Sequence, residues 1–241
     1  MTTPALAENV KGKGRHYRHP FTGHLVPSIT NVIGVLNKPA LPRWAAKVVA
    51  EQAVAMRESL PNLDPAEAVD LLKGAPWRSS GRAANRGTTV HAYLEARLQG
   101  LEPELLEGEA LKYRAAAEAW LDRWQPEVVA TELTVFDRRY AGTGDLWCKV
   151  DGEMRIVDFK TSKAIYPEAA LQLAALAGAR DVVDGFAPHY LEDRVSCWVV
   201  RIGERSFSEK QVADVPASLR AFRALLDAWE WQQQDPYVGE G

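Results

Sequence analysis

Alternating apolar and polar positions mark the middle of this chain. Three stretches rich in apolar and β-branched residues run from Glu127 to Phe136, from Gly144 to Val150 and from Arg155 to Lys160. Turn signals at Ala141-Gly142 and Asp151-Gly152 separate them. Because Asp-Gly is a strong hairpin signal, the pattern predicts a three-stranded antiparallel meander.

Helical spacing dominates the part of the chain before the meander. Start and stop signals predict helices over residues 28–36, 43–60, 64–74, 81–98 and 107–124. After the meander, the pattern predicts a helix from Pro167 to Arg180, a strand from Arg194 to Ile202 and a closing helix from Pro216 to Trp231. The order predicts an α/β core with a central mixed sheet of βββαβ order and a helical N-terminal cap.

The last strand of the meander carries the first candidate chemistry. Asp158 and Lys160 are two residues apart and project from one face, while Val157 and Phe159 project from the other. Carboxylates bind hard cations that also accept phosphate oxygens as ligands, and an ammonium can orient water or neutralise phosphate charge. An Asp-x-Lys tripeptide is also ordinary on a half-buried strand, so its meaning depends on its surroundings.

Those surroundings form an ordered set of motifs. They are Val26-Pro27-Ser28-Ile29-Thr30 to Trp44, Gly87-Thr88-Thr89-Val90-His91 with Glu95, Glu132, Gly142-Thr143-Gly144-Asp145, Asp158-Phe159-Lys160 and Gln172. With them the chain resembles the PD-(D/E)xK nuclease superfamily, and in particular its RecB-type exonuclease branch, which includes phage and mitochondrial exonucleases. The resemblance runs from about Val26 to Arg201 and has one departure, because Leu176 stands where the family has tyrosine.

The resemblance implies a restriction-endonuclease-like core and a set of site residues. Glu132, Asp145, Asp158 and His91 would bind one or two Mg2+ or Mn2+ ions, Lys160 would position the hydrolytic water and Gln172 would assist. Glu95 would support the site or contact a DNA end. The spacing alone places His91 and Glu95 on one helix face, and it leaves a core histidine beside Val90 and Leu94 as the alternative.

Charge is unevenly placed along the chain. The net charge is −3, but residues 1–50 carry seven Lys and Arg residues against one acid, Glu8. Such a basic segment is suited to contact a phosphate backbone. The candidate DNA contacts are Lys38, Arg43, Lys47, Arg78, Arg82, Arg86 and Lys163, with a solvated helix face as the alternative for the three arginines. Residues 1–14 are rich in Gly and Lys, which predicts a disordered basic tail.

Length and composition limit the number of domains, the cofactors and the cellular location that the sequence predicts. A chain of 241 residues with 46% hydrophobic residues predicts one domain over residues 15–241, mainly helical to 125 and an α/β catalytic core from 126. Cys148 and Cys197 lie in predicted strands, which indicates core thiols, and two cysteines are too few for a four-cysteine iron-sulfur cluster. Without an apolar run of membrane length or a secretion signal, we expect a soluble protein in the cytoplasm of a bacterium or a phage-infected host.

The combined prediction is a metal-dependent DNA exonuclease. Its substrate would be linear DNA with free ends, in recombination, repair or phage genome processing, with a recombination or replication protein as a possible partner. A sequence-specific endonuclease of the same fold and a non-cleaving DNA-binding or recruitment module are the alternatives.

Trp147 shares the strand face of Asp145 and is therefore a candidate for stacking on bases.

Overall fold

The computed structural model describes residues 7–182 and 195–234. The chain divides into two compact units, one formed by Met1–Leu36 with Thr89–Gly241 and the other by Asn37–Thr88. The prediction of a single domain over residues 15–241 stays a prediction. None of the helices in the described residues combines the length and the apolar character needed to span a lipid bilayer.

The larger unit begins with a small antiparallel sheet that replaces part of the predicted disordered tail. Its strands are β1 (Ala7–Val10), β2 (Gly14–Arg18) and β3 (Leu25–Pro27), in the order β1-β2-β3. Gly12 and Gly14 have φ angles of 77° and 75°, so the glycines that suggested disorder provide the left-handed conformations of the β1–β2 turn. Residues 1–6 of the predicted tail lie outside the described residues.

The remaining elements follow the sequence pattern closely. Seven helices and six further strands occur in the described residues, beside short 3-10 turns at Leu60–Asn62 and Ala110–Tyr113. The helices are α1 (Ile29–Ile33), α2 (Ala40–Ala55), α3 (Pro65–Lys73), α4 (Ala75–Leu98), α5 (Arg114–Trp124), α6 (Glu168–Gly178) and α7 (Val215–Gln232). The strands are β4 (Glu127–Phe136), β5 (Ala141–Val150), β6 (Glu153–Lys160), β7 (Asp181–Val182), β8 (Ser196–Ile202) and β9 (Phe207–Gln211).

Within residues 7–182 and 195–234, six strands form the central sheet in the order β7-β4-β5-β6-β8-β9. The predicted meander is present, since β4 pairs with β5 and β5 with β6 in antiparallel register. β8 lies parallel to β6, while β9 returns antiparallel along β8. The prediction of an α/β fold with a central mixed sheet is confirmed. Arg194, the predicted start of β8, lies outside the described residues.

Helices cover both faces of the central sheet. The first face packs against α1, α6 and α7 and contributes the buried residues Trp147, Ile156, Cys197 and Val199. The second face packs against α5 and the C-terminal half of α4 and contributes Leu146, Cys148, Val157, Phe159 and Val200. The strand faces of Val157 and Phe159 are therefore as predicted. The face of Asp158 was expected to be polar, but it is mostly apolar core because α6 and α7 cover it.

The two cysteines are part of this core. Cys148 and Cys197 are both buried and both carry free thiols. The prediction that they are core residues of strands is confirmed.

The smaller unit, Asn37–Thr88, consists of α2, α3 and the first part of α4. Asp64 caps α3 as predicted, because its side chain accepts a hydrogen bond of 2.9 Å from the amide of Ala66. Helix α4 begins at Ala75, six residues before the predicted start at Gly81. The glycine at position 81 lies within the helix, where sequence signals alone favoured a boundary.

Candidate active site

Strand β6 and helix α6 bring three of the predicted site residues together. Lys160 Nζ donates hydrogen bonds to Asp158 Oδ1 at 2.8 Å and to Gln172 Oε1 at 3.2 Å. Asp158 is buried, with a side-chain exposure of 1%, so its charge is set by its neighbours instead of by water. The ammonium of Lys160 is thus held between a carboxylate and an amide.

Asp145 on β5 joins this group through the backbone of β6. Its Oδ2 accepts a hydrogen bond of 2.6 Å from the amide of Phe159, which lies between Asp158 and Lys160. Its Oδ1 lies 3.6 Å from Nδ1 of His91 on α4. The imidazole ring of His91 also stands edge-on to the ring of Phe159, with 6.4 Å between the ring centroids. Four elements therefore contribute side chains to one continuous cluster.

Opposite charges inside the cluster stabilise each other's ionised forms. Burial alone would disfavour both charges, but His91 and Lys160 keep the pKa of Asp145 below its ordinary value. Asp145 in turn outweighs the burial of His91 and raises the pKa of the imidazole above 6.5. In the same way, burial is outweighed at Lys160, whose pKa is raised by Asp158 and Asp145. Lys160 is therefore an ammonium at neutral pH.

Asp158 behaves differently from Asp145. Burial and the charge of Asp145 raise the pKa of Asp158 to about 6, although Lys160 opposes the shift. Its second oxygen, Oδ2, is buried and has no hydrogen-bond partner in the described part of the chain. A buried acceptor without a partner is costly, so this oxygen is a position at which a cation would be stabilising.

Glu132 sits at an irregular point of β4. Its φ angle is 48°, in the left-handed region that non-glycine residues rarely adopt. The pairs Thr131–Leu146 and Leu133–Gly144 flank it, which puts Glu132 opposite Asp145. Burial of the carboxyl group and the charges of Asp145 and Glu95 raise the pKa of Glu132 to about 7, but the residue as a whole is exposed, so water screens part of this shift. Backbone strain of this kind is concentrated at functional sites.

Gln99, which the sequence analysis did not single out, holds Glu95 near Glu132. Gln99, which directly follows the last residue of α4, donates from Nε2 to Glu95 Oε1 at 3.1 Å and to Thr131 Oγ1 at 2.7 Å. Thr131 directly precedes Glu132 in β4. The amide thus ties the carboxylate of Glu95 to the strand of Glu132. The only sequence signal for Gln99 was its spacing of four residues from Glu95.

Two residues near the site are core residues. Trp147 is fully buried, so the prediction that it is available for stacking on bases is wrong: α6 and α1 cover the strand face that it shares with Ile156. Leu176, in the position of the family tyrosine, is also fully buried. A Cβ atom at Gly144 would approach the Leu176 methyl carbon to 3.0 Å, so the leucine packs directly on the glycine before Asp145.

The donor atoms of this cluster match a hard divalent cation in type. Carboxylate oxygens of Glu132, Asp145 and Asp158 suit Mg2+ or Mn2+, and the imidazole of His91 adds a nitrogen that Mn2+ accepts more readily. The unpartnered Oδ2 of Asp158 supports this assignment. In the described residues, no three His, Cys, Asp or Glu side chains converge into a ready-made cation site. Binding would therefore require side-chain rotation.

Six of the seven predicted DNA contacts belong to the smaller unit. Arg43 and Lys47 are exposed on α2, and Lys47 forms an ion pair with Glu51 at 3.5 Å. Arg78 donates to the carbonyl of Leu71 at 2.6 Å, so its guanidinium contacts its own unit. The full set in this unit is Lys38, Arg43, Lys47, Arg78, Arg82 and Arg86, and its role in DNA binding stays a prediction. Lys163 is exposed on the loop after β6 in the larger unit.

Glu132 and Asp158 should make the thermal stability of the metal-free protein, measured in EDTA, depend on pH. The pKa values of about 7 for Glu132 and about 6 for Asp158 exceed the ordinary 4.5 and 3.8, so the folded protein retains protons that the unfolded chain releases. Their stabilising contribution is present below the unfolded pKa values and is lost as pH rises through the folded ones. We expect the melting temperature to fall between about pH 4 and about pH 7.

The variant Glu132→Gln should remove the upper part of this fall, because glutamine does not ionise. The matched control is Glu127→Gln, which changes an exposed glutamate at the start of the same strand. Thermal melts of the three proteins across this pH range make the comparison. An unchanged pH dependence in Glu132→Gln would show that Glu132 is not protonated in the folded protein near neutral pH.

Comparisons with known proteins give little similarity. No family model and no curated protein sequence matches the chain. Matching solved structures include SSO0001, at 13% identity and a TM-score of 0.30, over 52% of this chain and 58% of that one. They also include an alkaline exonuclease, LHK-Exo, from Laribacter hongkongensis, at 13% identity and a TM-score of 0.30, over 61% of this chain and 82% of that one. This chain thus matches less than two thirds of SSO0001, and scores this low do not establish a shared activity.

Proposed function

We propose that this protein is a metal-dependent deoxyribonuclease that hydrolyses phosphodiester bonds as an exonuclease. The observation that supports it most is the continuous cluster of His91, Asp145, Asp158, Lys160 and Gln172, joined by the contacts described above. Phosphodiester hydrolysis needs carboxylates that hold a cation and a separate positive group near the reacting phosphate. The cluster contains both kinds of group.

Lys160 would act as a fixed cation in this reaction. Its raised pKa keeps it protonated, so Nζ donates hydrogen bonds and does not accept the proton of water. The contacts to Asp158 and Gln172 restrict where the ammonium points. It would orient the attacking water or neutralise charge that develops on the phosphate oxygens.

The carboxylates of the site and His91 would bind the catalytic cation or cations. Asp145, Asp158, Glu132 and His91 would hold one or two Mg2+ or Mn2+ ions, which when bound supply charge to the phosphate oxygens and favour ionisation of water. Asp145 is oriented by the amide of Phe159 and by His91. Glu132 would contribute its carboxylate from β4, opposite Asp145. Gln172 would keep Lys160 in place.

The substrate would be linear DNA, in recombination, repair or phage genome processing. The test uses end-labelled linear single-stranded DNA, linear duplex and a covalently closed circle, each with Mn2+, Mg2+ or EDTA. We expect loss of the linear DNAs from their ends with either metal, survival of the circle and no reaction in EDTA. Cutting of the circle at a defined sequence would favour an endonuclease. Binding without cutting in every condition would favour a non-cleaving DNA-binding module.

A further inference from the structure

Arg201 lies beside Lys160 on the neighbouring strand. The two residues are direct partners in the parallel register of β6 and β8, at the carboxyl ends of both strands, and so they share one face of the sheet. Two cations this close repel each other unless anions lie between or around them. Lys160 has Asp158 as its counter-charge. Among the described residues, no carboxylate forms an ion pair with Arg201.

The guanidinium of Arg201 is held in a fixed position. Its Nε donates to the carbonyl of Ser162 at 2.8 Å, in the loop that follows Lys160. The two terminal nitrogens lie along the backbone of Gly203, where an added Cβ atom would come within 3.1 Å of Nη1 and 3.3 Å of Nη2. Among the described residues, Nε of Arg201 donates to a carbonyl and the Nη groups have no acceptor, which leaves the Nη groups for a ligand. A planar fork held this way binds two oxygens of one anion.

Lys163 is a third cation, in the loop that the Arg201 side chain contacts. It is exposed and directly follows Ser162, the residue whose carbonyl Arg201 holds. Lys160 and Arg201 thus lie at the carboxyl ends of two adjacent parallel strands, where α/β sheets commonly bind ligands, and Lys163 lies in the loop that follows the first of them. The neighbouring carboxylates of Asp145 and Asp158 repel a polyanion, so a nucleic acid needs such cations to approach them.

We propose that Arg201, with Lys163, binds a backbone phosphate of the nucleic-acid strand next to the phosphate that reacts at the Asp158–Lys160 cluster. This inference rests on the proposed function and adds a binding residue to it. Neighbouring strands lie about 5 Å apart, so Arg201 and Lys160 can contact successive positions of one backbone. Arg201 would fix the register of the strand and would take no part in bond breaking.

The test measures binding of a fluorescent single-stranded oligonucleotide in EDTA, over a series of salt concentrations. Arg201→Ala should weaken binding about tenfold, because a charge-assisted bidentate contact is lost. It should also reduce the slope of log affinity against log salt by about 0.7, the value for one phosphate contact on a single strand. Arg205→Ala is the matched control, since Arg205 is exposed in the β8–β9 turn, and it should change neither quantity.

The variant Arg201→Lys distinguishes the effect of the positive charge from that of the forked guanidinium. It should keep the salt slope while losing part of the affinity, because lysine retains the charge without the fork. If Arg201 only anchors the Ser162 loop, Arg201→Ala will weaken binding with an unchanged slope, and the proposal fails. Should Arg201→Ala not fold, Arg201→Gln replaces it, with the same slope change expected and an unchanged slope again overturning the proposal.

This result can be told apart from failure of the proposed function. A wild-type protein that cleaves DNA while Arg201→Ala keeps the full salt slope would be a nuclease without this phosphate contact. A wild-type protein that never cleaves, but whose salt slope falls in Arg201→Ala, would retain the phosphate site and lose the nuclease assignment. Absence of any binding by the wild-type protein would overturn the phosphate site.

Discussion

Replacing Lys160 by alanine should lower the cleavage rate by about 10²–10³-fold, the usual cost of removing one positioned donor from a reacting centre. The ammonium is the group that lies between Asp158 and Gln172, and its raised pKa keeps it charged in the working pH range. Binding of DNA should change much less, since Lys160 contributes one cation among several. Single-turnover cleavage and oligonucleotide binding, measured on the same preparation, separate the two effects.

Lys160→Ala should also destabilise the protein in EDTA by about 1–3 kcal/mol, because Asp158 loses its counter-charge and must protonate or remain unpaired. Lys210→Ala, which removes an exposed lysine from β9, serves as the control for both activity and stability. Normal turnover by Lys160→Ala would remove the lysine from the reaction. An equal loss of binding and cleavage would mean that it contributes only to affinity.

Asp158→Asn should abolish stabilisation of the protein by Mn2+ as well as cleavage. A cation that binds only the folded state stabilises it by about 2.7 kcal/mol at 100 times its dissociation constant. For a chain of this size, each kcal/mol raises the melting temperature by about 2–4 °C. Wild-type protein should therefore melt about 5–10 °C higher in Mn2+ than in EDTA. Asparagine keeps the shape of the side chain but not its charge, so the shift should vanish.

Melting curves and calorimetric titration with Mn2+ test this without any nuclease assay. Asp122→Asn, which changes an exposed aspartate of α5, should behave as wild type. If Asp158→Asn retains the full Mn2+ shift, Asp158 is not a ligand, and its unpartnered oxygen needs another explanation. If wild-type protein shows no shift, the proposed cation site itself fails.

The strands that carry the site could be predicted because their signals are local. Alternation around Asp158 and the Asp151-Gly152 turn determine both pairing and strand face, and the structure has β5 and β6 within a few residues of the predicted bounds. The helix of His91 was also clear from its spacing. That His91 lies near Asp145 could not follow from either pattern alone, because it depends on how α4 packs on the sheet.

Other features depend on tertiary contacts that leave little trace in the sequence. Trp147 has the strand position of a site residue, yet α6 covers it, and only the packed structure shows that. Strand β9 was missed because it is an edge strand with four polar residues after Phe207. Strand β1 and the turn after it fall within the predicted tail of residues 1–14, because their glycines and lysines resemble those of flexible segments.

The parallel pairing of β6 with β8 has a consequence for the order of folding. The meander closes through short turns, whereas β8 reaches β6 only after α6 and residues 179–195 have been traversed. Contacts of short sequence separation have the lower loop-closure cost and form earlier. The acids Asp145 and Asp158 would then meet in a nascent three-stranded sheet, before α6 brings Gln172 to Lys160 and before β8 brings Arg201 alongside. Lys160 enters the site together with these acids because it lies on β6, whereas Arg201 joins only when β8 pairs with β6.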